Sequence, residues 1–149
     1  MSAGQRNLGS ALIVEDDAVL ALSLEEALHV AGVLSVWCCG SIGEAMSCLA
    51  REQPAILVLD VKLADRNDGW ALAELACQVC VPPPLIVFST GVPEAVPPAI
   101  AALGHVLAKP YDPSELTLLV GGGEGSVARG GQGAGESVGV LARIRRMLG

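Results

Sequence analysis

Ala55-Ile56-Leu57-Val58-Leu59-Asp60 is an unbroken apolar run closed by a carboxylate. Continuous apolar character, without in-out alternation, marks a strand covered on both faces, and Pro54 introduces it. Two other runs share the form. Ala11-Leu12-Ile13-Val14 leads into Glu15-Asp16-Asp17, and Leu85-Ile86-Val87-Phe88 leads into Ser89-Thr90. Three central strands, each handing over to polar residues, place the chain in the α/β class with a parallel sheet.

Helical segments separate them. Residues 18–31 carry Leu20, Leu24, Ala27, Leu28 and Ala31 at helical spacing, with Gly32 suited to the exit. Residues 33–39 read as a second strand, after which Ser41 caps a helix to about Arg51, with Glu44 completing a capping box. A loop is expected at Ala64–Gly69. The Ala- and Leu-rich stretch Trp70–Cys80 is helical, and Pro82-Pro83-Pro84 stops it. A short helix, irregular because of Pro93, Pro97 and Pro98, covers about 93–103; then come a strand at His105–Ala108 and a last helix opened by Asp112 and Pro113. Five β-α units with right-handed crossovers wind helices onto both sheet faces.

The chain has 149 residues, 52% of them apolar, enough for one domain with a sizeable core. Its net charge of −7, with only nine Lys and Arg, argues against a nucleic-acid surface. Met1–Ser10 lacks an apolar signal core and no run reaches a membrane span, so a cytoplasmic protein is expected. Cys38, Cys39, Cys48, Cys77 and Cys80 make an odd count, read as reduced thiols; the Cys77/Cys80 pair has no second pair or nearby His to complete a zinc set.

In parallel sheets ligands gather at the carboxyl ends of the strands. Those ends carry Glu15-Asp16-Asp17, Asp60, Ser89-Thr90 and Lys109-Pro110. Converging carboxylates repel unless a cation neutralises them, and Mg²⁺ takes a few carboxylate or carbonyl oxygens while also neutralising phosphate. The set suits an aspartate acting as nucleophile on phosphorus, with a hydroxyl at Thr90 and an ammonium at Lys109 for the remaining oxygens. Asp17, taken alone, reads as a helix cap.

These residues resemble the receiver domain of two-component response regulators over about 10–120, through Leu12-Ile13-Val14-Glu15-Asp16-Asp17, Leu57-Val58-Leu59-Asp60, Phe88-Ser89-Thr90-Gly91 and Leu107-Ala108-Lys109-Pro110-Tyr111-Asp112. The resemblance implies a flavodoxin-like doubly wound five-stranded parallel sheet of order 2-1-3-4-5. It implies Asp60 as phosphoacceptor, Asp16 as the main acidic Mg²⁺ ligand with Glu15 acting largely through water, and the backbone carbonyl of Lys62 as a further ligand. Thr90, Lys109 and Gly91 would contact or make room for the phosphoryl group. The implied partner is a histidine kinase or histidine phosphotransfer protein. The chain is then no enzyme beyond its own phosphorylation and dephosphorylation, serving as relay, sink or binding switch.

Two departures stand out. Val106 occupies the place three residues before Lys109 where many members carry an aromatic switch residue, and the Thr90–Lys109 interval is short and Pro-rich. Residues 1–9 form an extension. Residues 121–149 read as a flexible linker, nine of the nineteen residues 121–139 being Gly, followed by a short basic amphipathic helix from Val138 to Leu148. No output domain is expected, so the protein acts through another protein. A non-phosphorylated pseudo-receiver is the main rival. A haloacid-dehalogenase-type phosphatase would need an acid where Lys62 stands, and a flavodoxin a hydroxyl-rich loop where the acids stand.

Overall fold

The computed structural model describes residues 9–66 and 70–121, with the side chains of 64–66 left aside. Strands β1 (Ser10–Val14), β2 (Ser35–Cys39), β3 (Ile56–Asp60), β4 (Leu85–Thr90) and β5 (His105–Ala108) form one parallel sheet ordered β2-β1-β3-β4-β5. That is the flavodoxin-like order. Register pairs Val14 with Leu59, Asp60 with Ser89 and Thr90 with Ala108, so the strands' carboxyl ends finish on one rim.

Helices α1 (Ala18–Ala31), α2 (Ile42–Glu52), α3 (Val61–Arg66), α4 (Trp70–Val79), α5 (Pro98–Ala101) and α6 (Pro113–Val120) cover the sheet. Because successive strand side chains point to opposite faces, each central run feeds two cores. Leu12, Val14, Leu57, Leu59, Ile86 and Phe88 meet residues of α2, α3 and α4. Ala11, Ile13, Ile56, Val58, Leu85 and Val87 meet α1 and α6. Phe88 also tilts against Trp70, ring centroids 6.2 Å apart.

Several boundaries depart from expectation. β2 starts at Ser35, because Gly32 takes the left-handed conformation at the end of α1 and the Val33 amide is still spent on the Leu28 carbonyl. At α2, Ser41 accepts the Glu44 amide, but the Glu44 carboxylate reaches back to Gly40 and so overshoots the cap. Asp112 and Glu115 form the full capping box instead, at α6. Residues 61–66 are helical, where a loop was expected from 64. The 93–103 helix divides into a 3₁₀ turn at Pro93–Ala95 and the four-residue α5, since Pro97 and Pro98 supply no amide hydrogen to bridge them. The extension up to residue 8, the Gly-rich linker beyond Gly121 and the basic C-terminal helix lie outside the described residues.

Candidate functional site

The acids following β1 divide between two tasks. The Glu15 amide still bonds to the Cys39 carbonyl at 3.0 Å, which holds the residue on the sheet rim. Asp17 leaves the sheet: its Oδ1 accepts the amides of Val19 and Leu20 at 3.0 and 3.1 Å, making it the N-cap of α1. Its own amide donates to Glu15 Oε2 at 3.1 Å. Asp16, between them, is exposed at the crevice mouth.

Asp60 closes β3 and is 3% exposed. Its Oδ1 accepts the Lys62 amide at 3.1 Å and lies 3.6 Å from Lys109 Nζ. Lys109 Nζ also lies 3.8 Å from Glu15 Oε1, so one ammonium faces both buried carboxylates. The β5–α6 loop sets it there, with the Lys109 amide bonded to the Thr90 carbonyl at 2.6 Å. Carboxylate oxygens of Glu15, Asp16 and Asp60 lie within 4.8 Å of one another, the one such metal-competent group among the described residues.

The electrostatics match that crowding. Burial pushes the Glu15 carboxyl up to about 6; the Asp17 amide opposes this, Asp60 adds to it, and smaller effects of Lys109 and Asp16 oppose each other. Glu15 Oε1 is buried and accepts no hydrogen bond. An oxygen so placed, among two other carboxylates, fits a hard cation with oxygen ligands such as Mg²⁺.

Thr90 ends β4 on the same rim, 5% exposed, and its Oγ1 accepts the Val92 amide at 2.9 Å. Gly91, next to Thr90, is exposed, and apart from its chain neighbours a Cβ there would meet nothing within 4 Å. Lys62 has an exposed side chain and lies in the first turn of α3. A helical carbonyl aims at the amide four residues on, so the Lys62 carbonyl reaches a metal only if that turn opens.

Tyr111 is a residue whose part the sequence reading missed. Its hydroxyl and Ser89 Oγ lie 2.9 Å apart, tying the loop after Lys109 to the residue paired with Asp60. Burial pushes its phenol up, the Ser89 bond opposing. The available signal was an aromatic hydroxyl directly after Lys109-Pro110. Val106 is half-buried against the α2/α4 core.

None of the five cysteines forms a disulfide. Burial is the first cause raising the thiols of Cys38, Cys48 and Cys80, and it pushes Cys39 up to about 11, so these remain thiols near neutral pH.

No family model and no curated protein matches the chain by sequence. By fold, solved structures do match. A putative response regulator from Chloroflexus aurantiacus is 31% identical, with 74% of this chain and 93% of that one covered and a TM-score of 0.60. A CheY-like response regulator receiver domain protein from Methanospirillum hungatei is 19% identical over 94% and 99% of the two chains, TM-score 0.63. The response regulator PhyR from Brucella abortus is 22% identical over 78% of this chain, TM-score 0.63; the match spans 47% of the PhyR chain, about half its length.

Proposed function

The chain belongs to the receiver-domain family of two-component response regulators, and from that premise we propose that Asp60 accepts a phosphoryl group from a histidine kinase or histidine phosphotransfer protein. The observation that carries this reading is the convergence of Glu15, Asp16 and Lys109 on Asp60 at the carboxyl rim of the sheet. An Asp60 carboxylate oxygen attacks phosphorus as the donor's phosphorus–nitrogen bond breaks. The imidazole leaves with that electron pair, and Asp60 becomes an acyl phosphate.

The other residues act on charge and position. Lys109 is a mobile point charge, able to follow the phosphoryl oxygens away from the carboxylates it now faces. Thr90 uses its oxygen to hold Val92, which leaves its hydroxyl hydrogen for a phosphoryl oxygen. The open space beside Gly91 admits the group. Glu15, Asp16 and Asp60 would hold Mg²⁺, with the Lys62 carbonyl joining if α3 opens at its first turn. When bound, Mg²⁺ neutralises the clustered carboxylates and the incoming phosphate.

The protein is then a phosphoacceptor, not an enzyme acting on other substrates, and works from the cytoplasm through another protein as relay, sink or binding switch. Among the described residues no helix is long and apolar enough to cross a membrane. With Val106 in β5, any phosphorylation signal leaves without an aromatic ring at that place.

The test is intact-protein mass after incubation with acetyl phosphate or phosphoramidate, with and without Mg²⁺, for the native chain and Asp60→Asn. A Mg²⁺-dependent gain of one phosphoryl group, absent in the variant, is the expected result. No gain under any condition would move the protein to the pseudo-receiver class.

A further inference from the structure

Helices α1 and α6 lie side by side, joined where Thr117 Oγ1 donates to the Ala27 carbonyl at 2.8 Å. Their outer surface is unusually apolar for a solvent face. Leu22 and Val30 on α1 are 68% and 71% exposed, and Leu118 on α6 is 45% exposed. A groove of about 410 Å³ runs between Val30, Glu26, Pro113 and Leu118. A second concavity, of about 460 Å³, borders Leu22, Glu25 and His29 and shares Glu26 and Val30 with the first. Neither is lined by Lys or Arg.

We propose that the segment Val138–Leu148 of this same chain docks along that groove, its apolar side on Leu22, Val30 and Leu118 and its arginines beside Glu25 and Glu26. Charge is the first argument. Residues 1–121 carry five basic against fourteen acidic residues, net −9, whereas 122–149 carry four basic against two acidic, net +2. A segment of net positive charge thus complements an acidic, apolar groove. Three of the four are Arg143, Arg145 and Arg146, placed among Val140, Leu141, Ile144, Met147 and Leu148. At helical spacing these five apolar residues share one side, with Arg143 and Arg145 on its two edges.

Length is the second argument. α6 ends where a Cβ on Gly121 would lie 3.9 Å from Ala31 Cβ, at the far end of α1, so the chain emerges at one end of the groove. A glycine-rich coil of sixteen residues, the number in 122–137, would have a root-mean-square reach of roughly 20–24 Å. An eleven-residue helix spans about 16 Å, close to the stretch of α1 from Val19 to Val30. A coil of that reach, starting at the end of α6, can bring such a helix to the groove, the condition for an effective concentration in the millimolar range. This inference does not depend on phosphorylation of Asp60.

The test is the amide ¹H–¹⁵N spectrum of the full chain beside its Leu141→Ser/Ile144→Ser variant, whose substitutions lie outside the described residues. Docking in cis should shift the amides of Leu22, Glu26, Val30, Thr117 and Leu118, unchanged over a 20-fold dilution. Glu26→Arg, an exposed position, should reproduce those shifts. Unmoved groove amides would overturn the proposal. So would shifts that vanish on dilution together with a dimer, which would assign the groove to a second copy. Binding of the native chain to vesicles of anionic lipid with the groove amides unmoved would assign the segment to a membrane surface.

Discussion

Replacing Asp60 by Asn removes one negative charge from a crevice that holds three, at almost constant shape. At an effective dielectric of about 20, oxygens of Asp60 and Glu15 no more than 4.8 Å apart repel by at least ~3.5 kcal/mol. Lys109 at 3.6 Å returns ~4.6 kcal/mol of attraction on the same scale. That attraction is reduced to about half, because the lysine side chain is 31% exposed and screened. Asp16, exposed at the mouth, adds a weaker repulsion. The net is a penalty of roughly 1–2 kcal/mol on the metal-free native chain, and Asn keeps an oxygen for the Lys62 amide. Asp60→Asn should therefore melt about 4–8 °C higher than the native chain in EDTA at pH 8. It should lose most of the stabilisation that Mg²⁺ gives the native chain. At pH 5 the gain should shrink, since Glu15, with its carboxyl pushed up to about 6, is then mostly neutral. Calorimetric melts in EDTA and in Mg²⁺ at both pH values measure all three. A variant melting at or below the native chain in EDTA at pH 8 would refute the account of the crevice as a charge-strained site.

Glu15 makes stability pH-dependent in a stated direction. Its carboxyl is raised from 4.5 to about 6 in the fold, so the native state holds the proton more tightly than the unfolded chain. That contribution, about 2 kcal/mol, is complete below pH 4.5 and lost as pH rises through 6. Urea unfolding in EDTA should show the loss, Glu15→Gln should not, and Mg²⁺ should stabilise the native chain increasingly above pH 6. Tyr111→Phe leaves the Ser89 hydroxyl, 1% exposed, without that partner and should cost roughly 1–3 kcal/mol. Adding Ser89→Ala should recover part of the cost, and full additivity in the double-mutant cycle would show that the bond contributes nothing. Gly104→Ala drives a Cβ into the Ile86 carbonyl, where backbone must move, so the loss should reach about 3 kcal/mol in denaturant titration; a change under 1 kcal/mol would mean that β4 and β5 separate easily there.

Much of this was legible in the sequence. The apolar runs at 11–14, 55–59 and 85–88 read as central strands, as they are, and a parallel sheet brings the ends of such strands to one rim. Glu15, Asp16, Asp60 and Lys109 could thus be assembled from strand ends alone. Composition and local periodicity act over a few residues, and they determined the five strands, most of the helices, the Gly32 exit of α1 and the Asp17 cap.

What folding alone decided are partners distant along the chain and competitions between nearly equal local choices. Ser89 finds Tyr111 because β4 and the β5–α6 loop meet across the rim. Lys109 divides itself between Glu15 and Asp60 because β1 and β3 are neighbours. Glu44 bonds to Gly40 and not to Ser41, and residues 61–66 coil immediately after Asp60, through backbone angles that residue types do not specify. Helical and strand periods are properties of the chain, whereas a hydrogen bond's partner is a property of the space the folded chain encloses.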